Sequence, residues 1–429
     1  MVLAFIFLCA FADLSAASTV RKSSKLVVVS FDGFRYDFLD RGLTPNLNSL
    51  RQLGTYSRFM INVFPTQTFP NHFSIATGLY TEVHGVLANH VYDKTTKTLM
   101  NYGYPLFHYN KDVTPIWTLN EKAGGGRHSG VMMWAGSDFE YGGVNATFTK
   151  SYKKSVDWRE RVDTVIGWLG HPETPANLVM MYFEQPDAEE HVYGPESPSG
   201  QTNNQIKRVD AITKYLVDSL RNSGLLDVNL VFISDHGMDG VQKKDIIDLT
   251  KIVGNLADMY GTSPVLQVYP KPGTNVENVF QILNKAANSM KTFKIYKKDT
   301  IPEHFHYKKC ERAPPILAVA EPKYAFQDLY KMIEIYKKEY NISDTGFFGV
   351  HGYDPSYINM HPFFVADGPI FKNNYTVKGK MENIDMYLLF MHVLNLEMPF
   401  VKPNGTFNRV SEIFVSDKLP TTFITGIVN

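Results

Sequence analysis

The stretch NLVFISDHGM, Asn229–Met238, decides how the chain is read. Leu230 to Ile233 form an unbroken apolar run, the pattern of a strand buried on both faces. Asp235 and His236, an acid and a base, stand directly at its end, followed by Gly237. Two polar side chains are costly beside a core strand unless something satisfies them.

Two other segments repeat the pattern. KLVVVSFDGF (Lys25–Phe34) is a β-branched run ending in Asp32, and NLVMMYFEQPD (Asn177–Asp187) ends in Asp187. Between them and the first stretch, Ile206, Val209, Ile212, Leu216 and Leu220 recur at helical spacing, with Gly224 as a stop signal. Apolar strands alternating with helices predict an α/β fold, with a mostly parallel central sheet covered by helices on both faces. Ligands of such sheets bind beyond the carboxyl ends of the strands, where Asp32, Asp187, Asp235 and His236 all fall. From about 240 to 320 the texture becomes Lys-rich, with Pro-bearing strands and an amphipathic helix near Asn278–Met290. This is expected to be a small inserted subdomain, with a return to the main sheet at MHPFFVADGP.

At 429 residues and 44% hydrophobic, the chain can bury one large core with insertions. Lys plus Arg and Asp plus Glu each number 43, so no global field attracts nucleic acid. Residues 1–17, apolar and ending in small side chains, read as a secretory signal, with a signal anchor as the alternative. A single domain over 18–429 remains. Sequons at Asn145, Asn341, Asn374 and Asn404 favour export and glycosylation. Cys9 would leave with the signal, which makes Cys310 a lone thiol without an evident role. No apolar run of about 20 residues comes after the signal. The expectation is therefore a secreted protein or a cell-surface ectodomain, and a C-terminal anchor beyond TTFITGIVN stays open. Nothing points to an obligate protein partner, and a monomer is expected.

FDGF supplies Asp32, EQPDAEEH supplies Asp187 and His191, SDHG supplies Asp235 and His236, and VHGYDP supplies His351. Three carboxylates and three imidazoles suit two Zn2+ ions with three protein ligands each. A two-metal site clamps both oxygens of a phosphoryl displacement. The four-residue Asp187–His191 spacing puts both side chains on one helix face. Each motif alone has a plainer reading: SDHG and FDGF as turns, His351 as a core or surface histidine. Their joint occurrence at strand ends favours metal. His72, His84, His90 and His361 fit no ligand spacing and read as structural.

VFPTQTFPNHFSIATGLY (Val63–Tyr80) places Thr68 at or just before a helix N-terminus, beside Pro70. Free backbone N–H groups there favour negative charge, so Thr68 is either an N-cap or a metal-activated nucleophile. AGGGRHSG (Ala123–Gly130) lacks the Lys-Ser/Thr of a phosphate loop and reads as a turn.

The segments VVVSFDGFRYDFL, FPTQTFPNHFSIATGLYTEVHGVLANHVYD, YFEQPDAEEHVYGP, FISDHGM and HGYDPSYINMHPFFVADGP resemble the ectonucleotide pyrophosphatase/phosphodiesterase family of the alkaline phosphatase superfamily. The likeness runs in order from about Lys25 to Pro403. It is closest in layout to the short members, numbers 4 and 5. It implies an alkaline-phosphatase-like fold and one phosphodiesterase catalytic domain. It further implies Thr68 as nucleophile, sharing one zinc with Asp32, Asp235 and His236, and a second zinc on Asp187, His191 and His351. Asn89 would donate to a phosphate oxygen.

The resemblance also implies a base-stacking slot between Phe69 and Tyr152, with Tyr182 as a further pocket tyrosine. Without that register, ordinary packing aromatics would be the preferred reading of these rings. Lys153 stands where the family usually has Asn, which bears on local loop shape and base preference. The implied function is hydrolysis of extracellular nucleotides (NTPs, dinucleoside polyphosphates, NAD or ADP-ribose) to 5′-nucleoside monophosphates through a nucleotidyl-threonine. The alternatives are a choline-phosphodiesterase acting on lysophospholipid or glycerophosphocholine, and an inert adhesion or receptor ectodomain. TQTFPNH lacks the arginine of a sulfatase motif, which argues against that class.

Overall fold

In the computed structural model, residues 24–197, 199–344 and 346–415 are described. The signal expected over 1–17 and the end of the chain lie outside them. The central sheet has eight strands: β1 (Lys25–Phe31), β2 (Thr55–Ser57), β3 (Ser129–Met132), β4 (Phe148–Lys150), β5 (Leu178–Phe183), β6 (Val228–Ile233), β7 (Phe364–Asp367) and β8 (Tyr375–Thr376). Their order is β8-β2-β7-β6-β1-β5-β3-β4. Every pairing is parallel except the two made by β7, which runs antiparallel to β2 and β6.

The alternation of β1 explains why both faces must be covered. Leu26 and Val28 belong to one apolar cluster, and Val27, Val29 and Phe31 to another on the opposite face. Five helices bear on the candidate site: α1 (Thr68–Thr77), α2 (Trp158–Leu169), α3 (Asp187–Tyr193), α4 (Gln201–Asn222) and α5 (Asp385–Leu394). Phe73 and Ile75 of α1 and the fully buried α5 pack on the first face; α2 and α4 cover the second. The periodic residues Ile206, Val209, Ile212, Leu216 and Leu220 are all buried in α4.

Strands over 257–262, 265–270, 293–297 and 316–320 form a separate antiparallel sheet backed by the helix Val276–Met290. Its apolar cluster reaches beyond 320 to Phe348 and Met360, because later segments pack onto it. Among the described residues no helix is long and apolar enough to cross a membrane. Asn145, Asn341, Asn374 and Asn404 are all exposed, and Cys310 is buried and unpaired.

His84, read from sequence as structural, is sealed in the core next to α1. It accepts from the Val86 N–H at 3.1 Å through Nδ1, and its Nε2 lies 2.9 Å from Ser74 Oγ. Burial, with Arg312 nearby, pushes it down to about 3. An unfolded histidine titrates near 6.5, so the unfolded chain takes up a proton first as pH falls. The neutral ring thus stabilises fully above about pH 6.5, and that contribution is lost progressively between there and pH 3. The loss should reach on the order of 2 kcal/mol by pH 5. Unfolding midpoints at pH 7 and pH 5 should therefore differ less in His84→Asn than in wild type. An unchanged difference would count against it.

Candidate active site

β1 lies between β5 and β6, so the residues after these three strands meet at one sheet edge. Asp32 follows β1, Asp187 opens α3 four residues after β5, and Asp235 and His236 follow β6. The glycines of the motifs permit the close approach. Gly33 has φ +71°, and a side chain there would meet Asp187 Cβ at 2.8 Å; at Gly237 one would meet Asn359 O at 2.1 Å.

His236 Nε2 is the hub. It sits 3.1 Å from Asp235 Oδ2, 3.2 Å from Asp32 Oδ1 and 3.3 Å from Thr68 Oγ1. Asp187 Oδ1 lies 3.4 Å from His191 Nε2 and 3.5 Å from His351 Nε2. Two groups hold all their candidate ligand atoms within 4.8 Å of one another: Asp32, Asp235 and His236, and Asp187, His236 and His351. His236 belongs to both, and its ring stacks on His351 with centroids 3.6 Å apart. His191 reaches the second group through Asp187 but stands at its edge.

The hydrogen bonds fix what these atoms can do. His236 Nδ1 lies 2.9 Å from Gly237 O, His191 Nδ1 2.8 Å from Gly349 O, and His351 Nδ1 2.9 Å from Thr66 O. A carbonyl only accepts, so each Nδ1 carries a proton and each Nε2 faces the centre, where it offers a lone pair to a cation once it is free of a proton. Facing them, Asp32 Oδ1, Asp187 Oδ1 and Asp235 Oδ2 are buried without hydrogen-bond partners. Bare nitrogens opposite bare carboxylate oxygens repel, and such a cluster is satisfied only by cations or extra protons.

Without a cation the cluster keeps extra protons: burial alone would lower His236, but the Asp235 and Asp32 carboxylates raise it well above the usual histidine value. Burial and the Asp235 charge raise Asp32 to about 6, and burial with Asp32 lifts Asp187 well above the carboxylate range. Burial lowers His191 to about 4, and burial plus the charge of His236 takes His351 well below its usual value. The three-carboxylate, three-imidazole donor set suits zinc.

Thr68 is the first residue of α1, after Gln67 at the cap position. Its hydroxyl caps no backbone N–H and faces His236 instead. The alternative reading as a simple N-cap is thereby removed. Asn89 Oδ1 accepts from the Phe69 N–H at 2.8 Å, which turns the amide Nδ2 outward as a donor. The Tyr182 hydroxyl donates to Asp32 Oδ2 at 2.5 Å.

A cavity of about 460 Å³ opens from Thr68, Asp32 and Asp187 and is lined by Phe69, Asn89, Tyr152 and Tyr182. It holds residues that the sequence reading missed, chiefly Asp138 and Tyr102. Asp138 Oδ2 accepts from the Tyr102 hydroxyl, while Oδ1 is buried without a partner. Asp138 was findable, since WAGSDF comes after β3 at the same sheet edge as the acids. Tyr102 sits in a loop with no periodic signal. His72, read as structural, lies in contact distance of Asp235.

Residues 26–354 match the family model described as type I phosphodiesterase / nucleotide pyrophosphatase. The chain is 35% identical over 404 residues to human ectonucleotide pyrophosphatase/phosphodiesterase family member 5, covering 91% of this chain and 78% of that protein. It is 34% identical over 380 residues to the bis(5′-adenosyl)-triphosphatase enpp4 of Xenopus laevis, covering 88% and 79%. Murine family member 5, solved as an inactive threonine-to-alanine variant in complex with AMP, superposes with a TM-score of 0.81 at 34% identity. That match covers 91% of this chain and all of the other.

Proposed function

Since the chain belongs to the type I phosphodiesterase / nucleotide pyrophosphatase family, we propose that it is an extracellular, zinc-dependent hydrolase of nucleotide phosphodiester and pyrophosphate bonds. The observation carrying this is the convergence of Thr68 Oγ1 with a buried, unsatisfied ligand cluster at the mouth of an aromatic-lined cavity. Zinc ions would be held by Asp32, Thr68, Asp235 and His236 and by Asp187, His191 and His351, and would supply positive charge for phosphate and for the threonine oxygen.

The chain's own groups carry the bond changes. Thr68 Oγ1, its proton lost to solvent, forms a bond to the phosphorus bearing the nucleoside 5′-oxygen, and the bond to the departing phosphate or nucleotide breaks. Asn89 Nδ2 holds a non-bridging oxygen. Water then forms a P–O bond as the threonine ester breaks, which frees a 5′-nucleoside monophosphate and restores the hydroxyl. Phe69 and Tyr152 flank the base, where stacking contributes about 1–3 kcal/mol. Asp138 Oδ1, a lone acceptor in the same cavity, suits the exocyclic amino group of adenine.

The activity for which the Xenopus relative is named makes diadenosine polyphosphates the first substrates to try, with NTPs, NAD and ADP-ribose beside them. The glycosylated, exported setting rests on the exposed sequons and on relatives named as ectoenzymes. Aromatic rings with a carboxylate would also suit a quaternary ammonium, so glycerophosphocholine belongs in the same panel. Purified protein should release AMP from the adenine substrates at least about tenfold faster than it cleaves the choline ester. Tyr152→Ala should raise KM for diadenosine substrates about 5- to 50-fold through lost stacking. Faster turnover of the choline ester would overturn the nucleotide reading.

A further inference from the structure

We propose that His72 is a positioning residue that ties the nucleophile's helix to the carboxylate of Asp235, with Ser30 fixing its tautomer. The inference rests on the phosphodiesterase reading above and assigns a task to a side chain which no ligand spacing marked.

His72 is 0% exposed and lies one helical turn after Thr68, on the same face of α1. Its Nδ1 is 2.9 Å from Thr68 O and 3.3 Å from Asp235 Oδ2, and its Nε2 is 2.9 Å from Ser30 Oγ. Both oxygens near Nδ1 only accept, so Nδ1 carries the hydrogen, gives it to the Thr68 carbonyl and faces Asp235 Oδ2 electrostatically. Nε2 is then bare and accepts the Ser30 hydroxyl, whose residue lies within β1 two positions before Asp32. The ring cannot flip easily: Trp134 and Tyr182 meet it edge-on with centroids 4.8 and 5.2 Å away.

Asp235 shows why this hydrogen matters. Its Oδ1 accepts from the N–H groups of Gly33 and His236 at 3.1 and 2.9 Å. Its Oδ2 makes no full hydrogen bond and lies 3.1 Å from His236 Nε2 and 3.3 Å from His72 Nδ1. One imidazole N–H therefore supports the oxygen that points into the ligand cluster, and holds the backbone of the nucleophile at the same time. Partners of this kind orient a ligating carboxylate, and their loss commonly weakens metal binding 10–100-fold.

The test compares His72→Asn, whose amide nitrogen sits where Nδ1 was, with His72→Gln, whose amide reaches only the Nε2 position. Zinc retention in chelator competition, kcat and KM on a dinucleotide, and the unfolding midpoint are measured on the full protein. His72→Asn should keep zinc affinity within about 3-fold and kcat within about 10-fold of wild type. His72→Gln should lose zinc affinity about 10–100-fold and kcat about 100-fold, with KM changed less than about 3-fold. Ser30→Ala, a milder change, reads the tautomer from the other end and should lower kcat about 10-fold. Gln equal to Asn, or both equal to wild type, overturns the inference, as does an unaffected Ser30→Ala should the histidine variants fail to fold. A wild-type protein that neither binds zinc nor cleaves nucleotides would instead sink the functional reading beneath it.

Discussion

Replacing Thr68 with alanine is expected to reduce nucleotide hydrolysis by at least about a thousandfold while zinc binding and the unfolding midpoint stay near wild type. The substitution removes one hydroxyl and one methyl at a half-buried position where the hydroxyl caps nothing. Its effect on stability should stay within about 1 kcal/mol. The chemistry should depend on it, because its oxygen stands 3.3 Å from His236 Nε2, while the Tyr182 hydroxyl already donates to Asp32. Thr68→Ser keeps the oxygen and should recover activity to within about a hundredfold of wild type. Acid quench with a labelled adenine nucleotide should leave label on wild-type protein and none on the alanine variant. Turnover by the alanine variant above one hundredth of wild type would remove Thr68 from the nucleophile's role.

The sheet and its edge were legible because long apolar runs flanked by acids leave few alternatives. The strands over Lys25–Phe31, Leu178–Phe183 and Val228–Ile233 are the three central ones. The pleat and the parallel pairing then place Asp32, Asp187 and Asp235 together without further information. What stayed hidden are contacts made by loops and by second neighbours. Asp138 and Tyr102 meet across 36 residues, through a cavity that exists only once β3 and the turn after it are in place. His72 lies inside the Thr68 motif, yet its partners come from elsewhere, Ser30 from β1 and Asp235 from the turn after β6, and no local spacing announces such a triangle. The small antiparallel sheet likewise draws Phe348 and Met360 into its apolar cluster from far along the chain, contacts that no local pattern announces.

Metal analysis of ligand variants should give the other large effect. Wild-type protein is expected to carry two zinc ions per chain, and stripping them with a chelator should lower activity at least about a hundredfold, with recovery on adding zinc. Stripping should also lower the unfolding midpoint, because an ion at a thousand times its Kd contributes about 4 kcal/mol. The sequence reading divides six ligands evenly, with His191 in one triad and His236 in the other. The geometry makes His236 common to both tight groups and leaves His191 at the rim, with its side chain about a third exposed. The single Nε2 lone pair of His236 can ligate only one ion, so His236→Ala should leave about one ion per chain, whereas His191→Ala should hold two at saturating zinc and weaken only one of them. Asp187→Asn should reduce the content to about one, because its orphaned oxygen is the only carboxylate of the second group. If His236→Ala keeps two ions as firmly as wild type, neither His236 as a ligand nor the activated threonine 3.3 Å from it survives as an account of this site.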